Sequence, residues 1–86
     1  MLNNLRSAYF RGNDYRKAVQ VLDLLIEASP SADHFKARGV AHMHLRELLA
    51  ARADFDLYLQ HSPEAADRAE IAKQLESIHR WLASVN

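Results

Sequence analysis

Displaced by 33 residues, the chain falls into register with itself. Ala8 then meets Ala41, Ala18 meets Ala51, Leu22 meets Phe55 and Ile26 meets Leu59. The dipeptides Asp23-Leu24 and Ser29-Pro30 meet Asp56-Leu57 and Ser62-Pro63. Pro30 and Pro63 are the only prolines in the sequence, so both chain breakers share one register. A chain with such a period is built from copies of one supersecondary unit, each of which buries its apolar side against its neighbour.

The matched residues describe a helical hairpin. Alanines at 8, 41, 18 and 51 let helix axes approach closely, and Leu22 and Phe55, four residues beyond Ala18 and Ala51, lie above them on the same face. Ser-Pro ends the second helix of each unit, because the residue before proline avoids the α region and proline has no amide hydrogen to donate. The pattern predicts an all-α fold of five helices, over about 2–11, 15–28, 33–45, 48–60 and 64–83. Gly12-Asn13-Asp14 marks the first turn, and Ile71, Leu75, Ile78 and Leu82 stripe the last helix. The expected organisation is one domain: a first unit over 1–30, a second over 31–63 and a closing helix within 64–86.

These residues resemble the tetratricopeptide family. Leu5, Ala8, Tyr9, Asp14-Tyr15, Ala18, Leu22 and Pro30 stand where the family has L, A, Y, DY, A, F and P. Gly39, Ala41, Ala51, Phe55 and Pro63 do so in the second unit. No tryptophan opens either unit, Arg6 replaces a small residue, and His42 stands for a tyrosine. The resemblance implies a right-handed superhelix of helical hairpins that binds a protein or peptide in a concave groove. Carried over by register, the groove positions are Asn3, Ser7, Phe10 and Arg11, then Lys36, Val40, Met43 and His44, with Lys73 completing the wall. Asn3 and Lys36 match only part of the clamp by which some members grip a terminal carboxylate, and Ser7 stands where that clamp has asparagine.

A narrower likeness lies in Met1-Leu-Asn-Asn-Leu-Arg and Arg-Gly-Asn-Asp-Tyr-Arg-Lys-Ala. Both are similar to the tail of bacterial proteins in which a transglutaminase-like domain precedes such repeats, the SirB invasion-regulator family. The likeness implies a C-terminal fragment that docks on its parent's N-terminal domain. The alternative it implies is an accessory part that positions substrate for that upstream enzyme.

Composition narrows the function classes. There is no cysteine, so disulfides, thiolate metal sites and a thiol nucleophile are all absent. Formal net charge is zero, with +3 over residues 1–20 balanced by −3 over 21–86, which gives no basic stripe for nucleic acid. No stretch is apolar enough to span a membrane and no signal peptide opens the chain, so the expectation is a cytoplasmic protein. His42 and His44 are two apart and diverge on a helix, and His34, His61 and His79 have no metal-ligand partner at i,i+4. Ser7 and Ser77 sit in no nucleophile elbow or phosphate loop. The reading is of a non-catalytic chain without metal or cofactor.

Apolar residues off the core face raise self-association. Leu24 and Leu57 lie about 120° from the core stripe of their helices and are expected to form an outer apolar strip. Met1, Leu2 and Leu5 are expected to be exposed on a first helix that has no capping element before it. Trp81 either caps the core with its indole N–H in water or anchors an interface. Together they predict a weak, concentration-dependent homodimer.

Overall fold

A computed structural model describes the backbone of residues 2–84 and the side chains from Asn4 to Ser84. Met1 and the side chains of Leu2 and Asn3, all invoked above, lie outside the described residues. Five helices follow one another: α1 (Leu2–Arg11), α2 (Tyr15–Ala28), α3 (Ala32–His44), α4 (Leu48–His61) and α5 (Arg68–Ser84). The first four match their expected spans within a residue. Each helix packs on the next, so α1, α3 and α5 form one layer and α2 and α4 the other.

The two hairpin turns are copies of one geometry. After α1, Asp14 N–H donates to Tyr9 C=O and Asn13 N–H to Phe10 C=O; after α3, Glu47 N–H donates to His42 C=O and Arg46 N–H to Met43 C=O. This bonding requires a left-handed residue in the turn, and Asn13 (φ 58°) and Arg46 (φ 61°) provide it. Asparagine tolerates that region; arginine has no such preference. The next residue differs in use. The Asp14 carboxylate caps α2 by accepting Lys17 N–H at 3.3 Å, whereas Glu47 opens α4 without a side-chain cap.

The apolar core has two parts. Phe35, Ala51, Phe55, Tyr58, Ile71 and Ile78 join α3, α4 and α5. Ala18, Val19 and Ala41 join α2 to α3, with Tyr9, Phe10, Tyr15 and Leu45 packed around them. Phe55 and Leu22 are almost wholly buried, each contributing about 1.5–3 kcal/mol of transfer free energy. Gly39 lies under the Phe55 ring so closely that a Cβ would stand 2.8 Å from the ring carbon Cε1.

Three expectations need correction. α5 begins at Arg68, not near 64, because residues 62–67 form consecutive turns with Ala65 N–H on Ser62 C=O and Arg68 N–H on Ala65 C=O. Ala8 is exposed although its counterpart Ala41 is fully buried, since α2 covers α3 at that position and nothing among the described residues covers α1 there. Leu57 is not part of an exposed strip. It is half-buried against the larger core cluster, whereas Leu24 is exposed and belongs to neither cluster.

Candidate protein-binding groove

Two hollows lie side by side on the layer formed by α1, α3 and α5. The first, about 290 Å³, is lined by Arg6, Ser7 and Phe10 of α1 and by Asp33, Lys36, Ala37 and Val40 of α3. The second, about 430 Å³, has Lys36, Val40, Met43 and His44 of α3 on one side. Glu70, Ile71 and Gln74 of α5 form its other side, with Asp67 and Arg46 at its ends and Phe55 in its floor. Lys36 and Val40 belong to both hollows, which makes one groove across three helices.

Helical spacing explains the α3 contribution. Lys36, Val40, Met43 and His44 recur at intervals of four, three and one, and so project from one face. The ring of His44 is fixed by stacking on Tyr15 at 4.1 Å with the planes 1° apart. Of the residues expected to line the groove, Ser7, Phe10, Lys36, Val40, Met43 and His44 do so. Arg11, the last residue of α1, and Lys73 are exposed and line neither hollow. Lys73 is 33 residues beyond Val40, but the residue of α5 that lines the hollow is Gln74, 34 beyond it. Glu70 likewise lies 34 beyond Lys36, so the turns before α5 advance the register by one.

The start of the second hollow is closed by charge. Lys36 Nζ donates to Asp67 Oδ2 and Tyr58 Oη donates to Asp67 Oδ1, tying α3 and α4 to the residue that precedes α5. The Lys36 hydrogen bond, then that of Tyr58, holds the Asp67 carboxyl below the usual carboxylate range. The same carboxylate raises Lys36 and Tyr58 above their ordinary values. Sequence reasoning missed Asp67 because it placed the residue inside α5.

Behind the groove, about 200° round α3, runs a polar chain that the sequence reading also missed. Arg38 binds Asp54 through two hydrogen bonds, Nε to Oδ2 at 2.9 Å and Nη2 to Oδ1 at 2.7 Å, and reaches Asp23 of α2 at 3.0 Å. His42 Nε2 stands 3.6 Å from Asp54, and its Nδ1 lies 2.8 Å from Glu47, which Arg16 of α2 binds at 2.9 Å. Arg16, with His42, holds Glu47 below the ordinary carboxylate range. Among the described residues no group of three or more histidines or carboxylates is arranged to hold a metal ion. No helix there is long and apolar enough to cross a membrane. Outside the groove, Leu5, Leu24, Leu49 and Trp81 are the exposed large apolar side chains among the described residues.

A protein-family model described as tetratricopeptide repeat matches residues 5–76. No curated protein and no solved structure matches the chain.

Proposed function

We propose that this chain, which belongs to the tetratricopeptide repeat family, holds a segment of a partner protein along the face formed by α1, α3 and α5. Membership makes the chain a protein-interaction module; the face and the occupant are our reading. One observation carries it. Phe10, Val40 and Met43 remain only half-buried in a groove with polar walls, so apolar surface stays open where an inserted side chain would cover it.

Selection of random peptides displayed on phage tests this directly. Enriched peptides should lose binding to Val40→Glu and Met43→Glu and keep it for Leu24→Glu. Peptides that bind the two groove variants as well as the parent would put the site elsewhere.

A second reading rests on α1. Ala8 and Leu5 are exposed there, while at the register of Ala8 in the second unit Ala41 is fully buried beneath α2. A helix docking on α1 as α2 docks on α3 would cover both, and the parent's N-terminal domain is the partner we propose for it. If that domain is transglutaminase-like, the groove becomes its substrate-positioning surface. Leu5→Glu should weaken such docking and leave the melting temperature of the isolated chain unchanged.

A further inference from the structure

The charges in the second hollow are not spread evenly. Lys36 is neutralised by Asp67, and in the adjoining hollow Arg6 is neutralised by Asp33 at 3.2 Å. Glu70 and Arg46 line the second hollow, and among the described residues neither has an oppositely charged side chain within ion-pair distance, although the Glu70 charge contributes to raising Lys36. Glu70 stands on the α5 wall toward the Asp67 end, and Arg46 stands at the other end. Lys36 and Asp67 meet, so the start of α3 is level with the start of α5 and the two helices run side by side. Glu70 lies in the first turn of α5, three residues past Asp67, whereas Arg46 lies beyond the last residue of α3, ten residues past Lys36. Between them Val40 and Met43, each half-buried, present apolar surface over a floor of the buried Phe55 and Ile71.

The backbone gives a second, independent sign. Arg46 occupies a left-handed position (φ 61°) whose counterpart, 33 residues earlier, is Asn13 (φ 58°). A residue type suited to that conformation is used in the first turn, and a poorly suited one in the turn that borders the hollow. Strain kept at one of two equivalent turns implicates the side chain it carries.

We infer that the occupant of this groove is an extended segment of a partner protein in which a basic and an acidic residue flank one apolar residue. The basic side chain pairs with Glu70, the apolar one covers Val40 and Met43, and the acidic one pairs with Arg46. This rests on the groove reading above and specifies its ligand. Residues i, i+2 and i+4 of an extended chain project to one side and span about 13 Å, which the long side chains at either end can match. A segment with two like charges would bring one of them against a like charge on the groove wall.

Four capped peptides with identical Gly-Ser flanks test it by fluorescence polarisation. Their centres are Lys-Ser-Leu-Ser-Glu, Glu-Ser-Leu-Ser-Lys, Lys-Ser-Leu-Ser-Lys and Glu-Ser-Leu-Ser-Glu. One of the two balanced peptides should bind about tenfold more tightly than both like-charged ones, with the preference shrinking as salt is raised. The Glu70→Lys/Arg46→Glu variant should prefer the opposite order. Both positions are exposed, and an unchanged melting temperature would verify that the exchange leaves the fold intact. If a like-charged peptide binds as tightly as the best balanced one, the charge pattern is overturned. The groove reading survives that result if Val40→Glu abolishes the binding, and falls with it if Val40→Glu has no effect. No binding by any peptide at millimolar concentration overturns both.

Discussion

Arg38 and Asp54 form a bidentate ion pair inside the second hairpin at the register where the first hairpin has Leu5 and Val21. Asp54 is 3% exposed, yet its carboxylate is matched oxygen by oxygen to the guanidinium fork. The second unit has therefore replaced an apolar pair of positions by a charged one. Arg38 also reaches Asp23, which locks α3 to α2 as well as to α4.

Breaking that pair should be costly and replacing it should not. Arg38→Leu leaves the Asp54 carboxylate buried without its guanidinium and is expected to lose about 3–5 kcal/mol, whereas Asp54→Val leaves Arg38 its contact with Asp23 and should lose less. The double variant, which installs the residues of the first unit, should recover most of that loss or exceed the parent. Urea denaturation of the three variants measures the coupling. Equal, additive losses would mean that the pair does not act as a unit.

Gly39→Ala should cost about 1–3 kcal/mol by overpacking, because the new methyl group would stand 2.8 Å from the Phe55 ring. Combining it with Phe55→Leu, the residue of the first unit, should cost less than the two losses summed. Thermal melts of the two single variants and the double one decide this. Strict additivity would contradict the contact.

The two equivalent leucines should behave differently. Leu24 is 55% exposed, and Leu24→Glu should change stability by no more than about 0.5 kcal/mol. Leu57 packs against the core, and Leu57→Glu should cost about 1–3 kcal/mol. Matching melts for the two variants would restore the strip expected from sequence.

Arg46→Asn should stabilise the chain by about 0.5 kcal/mol, part of the roughly 1–2 kcal/mol by which the left-handed region disfavours an ordinary side chain. The same variant should weaken binding of the balanced peptide. A gain in stability at the expense of function is the pattern expected for a residue kept for its contacts. A loss of stability would show that the Arg46 side chain supports the fold.

The pH profile should have a flat centre. Asp67 and Glu47 have folded pKa values below their unfolded ones, so their contribution is present above about pH 4 and is lost as pH falls through the folded values. Lys36 and Tyr58 have folded values above their unfolded ones, so theirs is complete below about pH 10 and is lost as pH rises through the folded values. In Asp67→Asn the acid loss should be shallower, since one depressed carboxyl is gone. An acid limb identical to the parent's, followed by circular dichroism from pH 2 to 6, would remove Asp67 from the account.

Local chemistry determined the helices. The Asn13 and Ser-Pro punctuation, the paired alanines and the apolar spacing needed no partner elsewhere in the chain to be read, and four of the five helices fall where those signals put them. The α3 and α1 faces of the groove followed in the same way, because the position of a residue on a helix face depends only on its number within that helix. Wherever a second element intervened, sequence was insufficient. The start of α5 depends on turns over 62–67 whose Asp67 carboxylate is held by Lys36, 31 residues away, and by Tyr58. That link turned the α5 wall by one residue and put Glu70 and Gln74 in the hollow in place of Lys73. Whether Ala8, Leu24 and Leu57 are open or covered, and which acid neutralises Arg38, also depend on what packs against them. Periodicity shows which way a side chain points along its own helix, but only the packed structure supplies the neighbour it meets there.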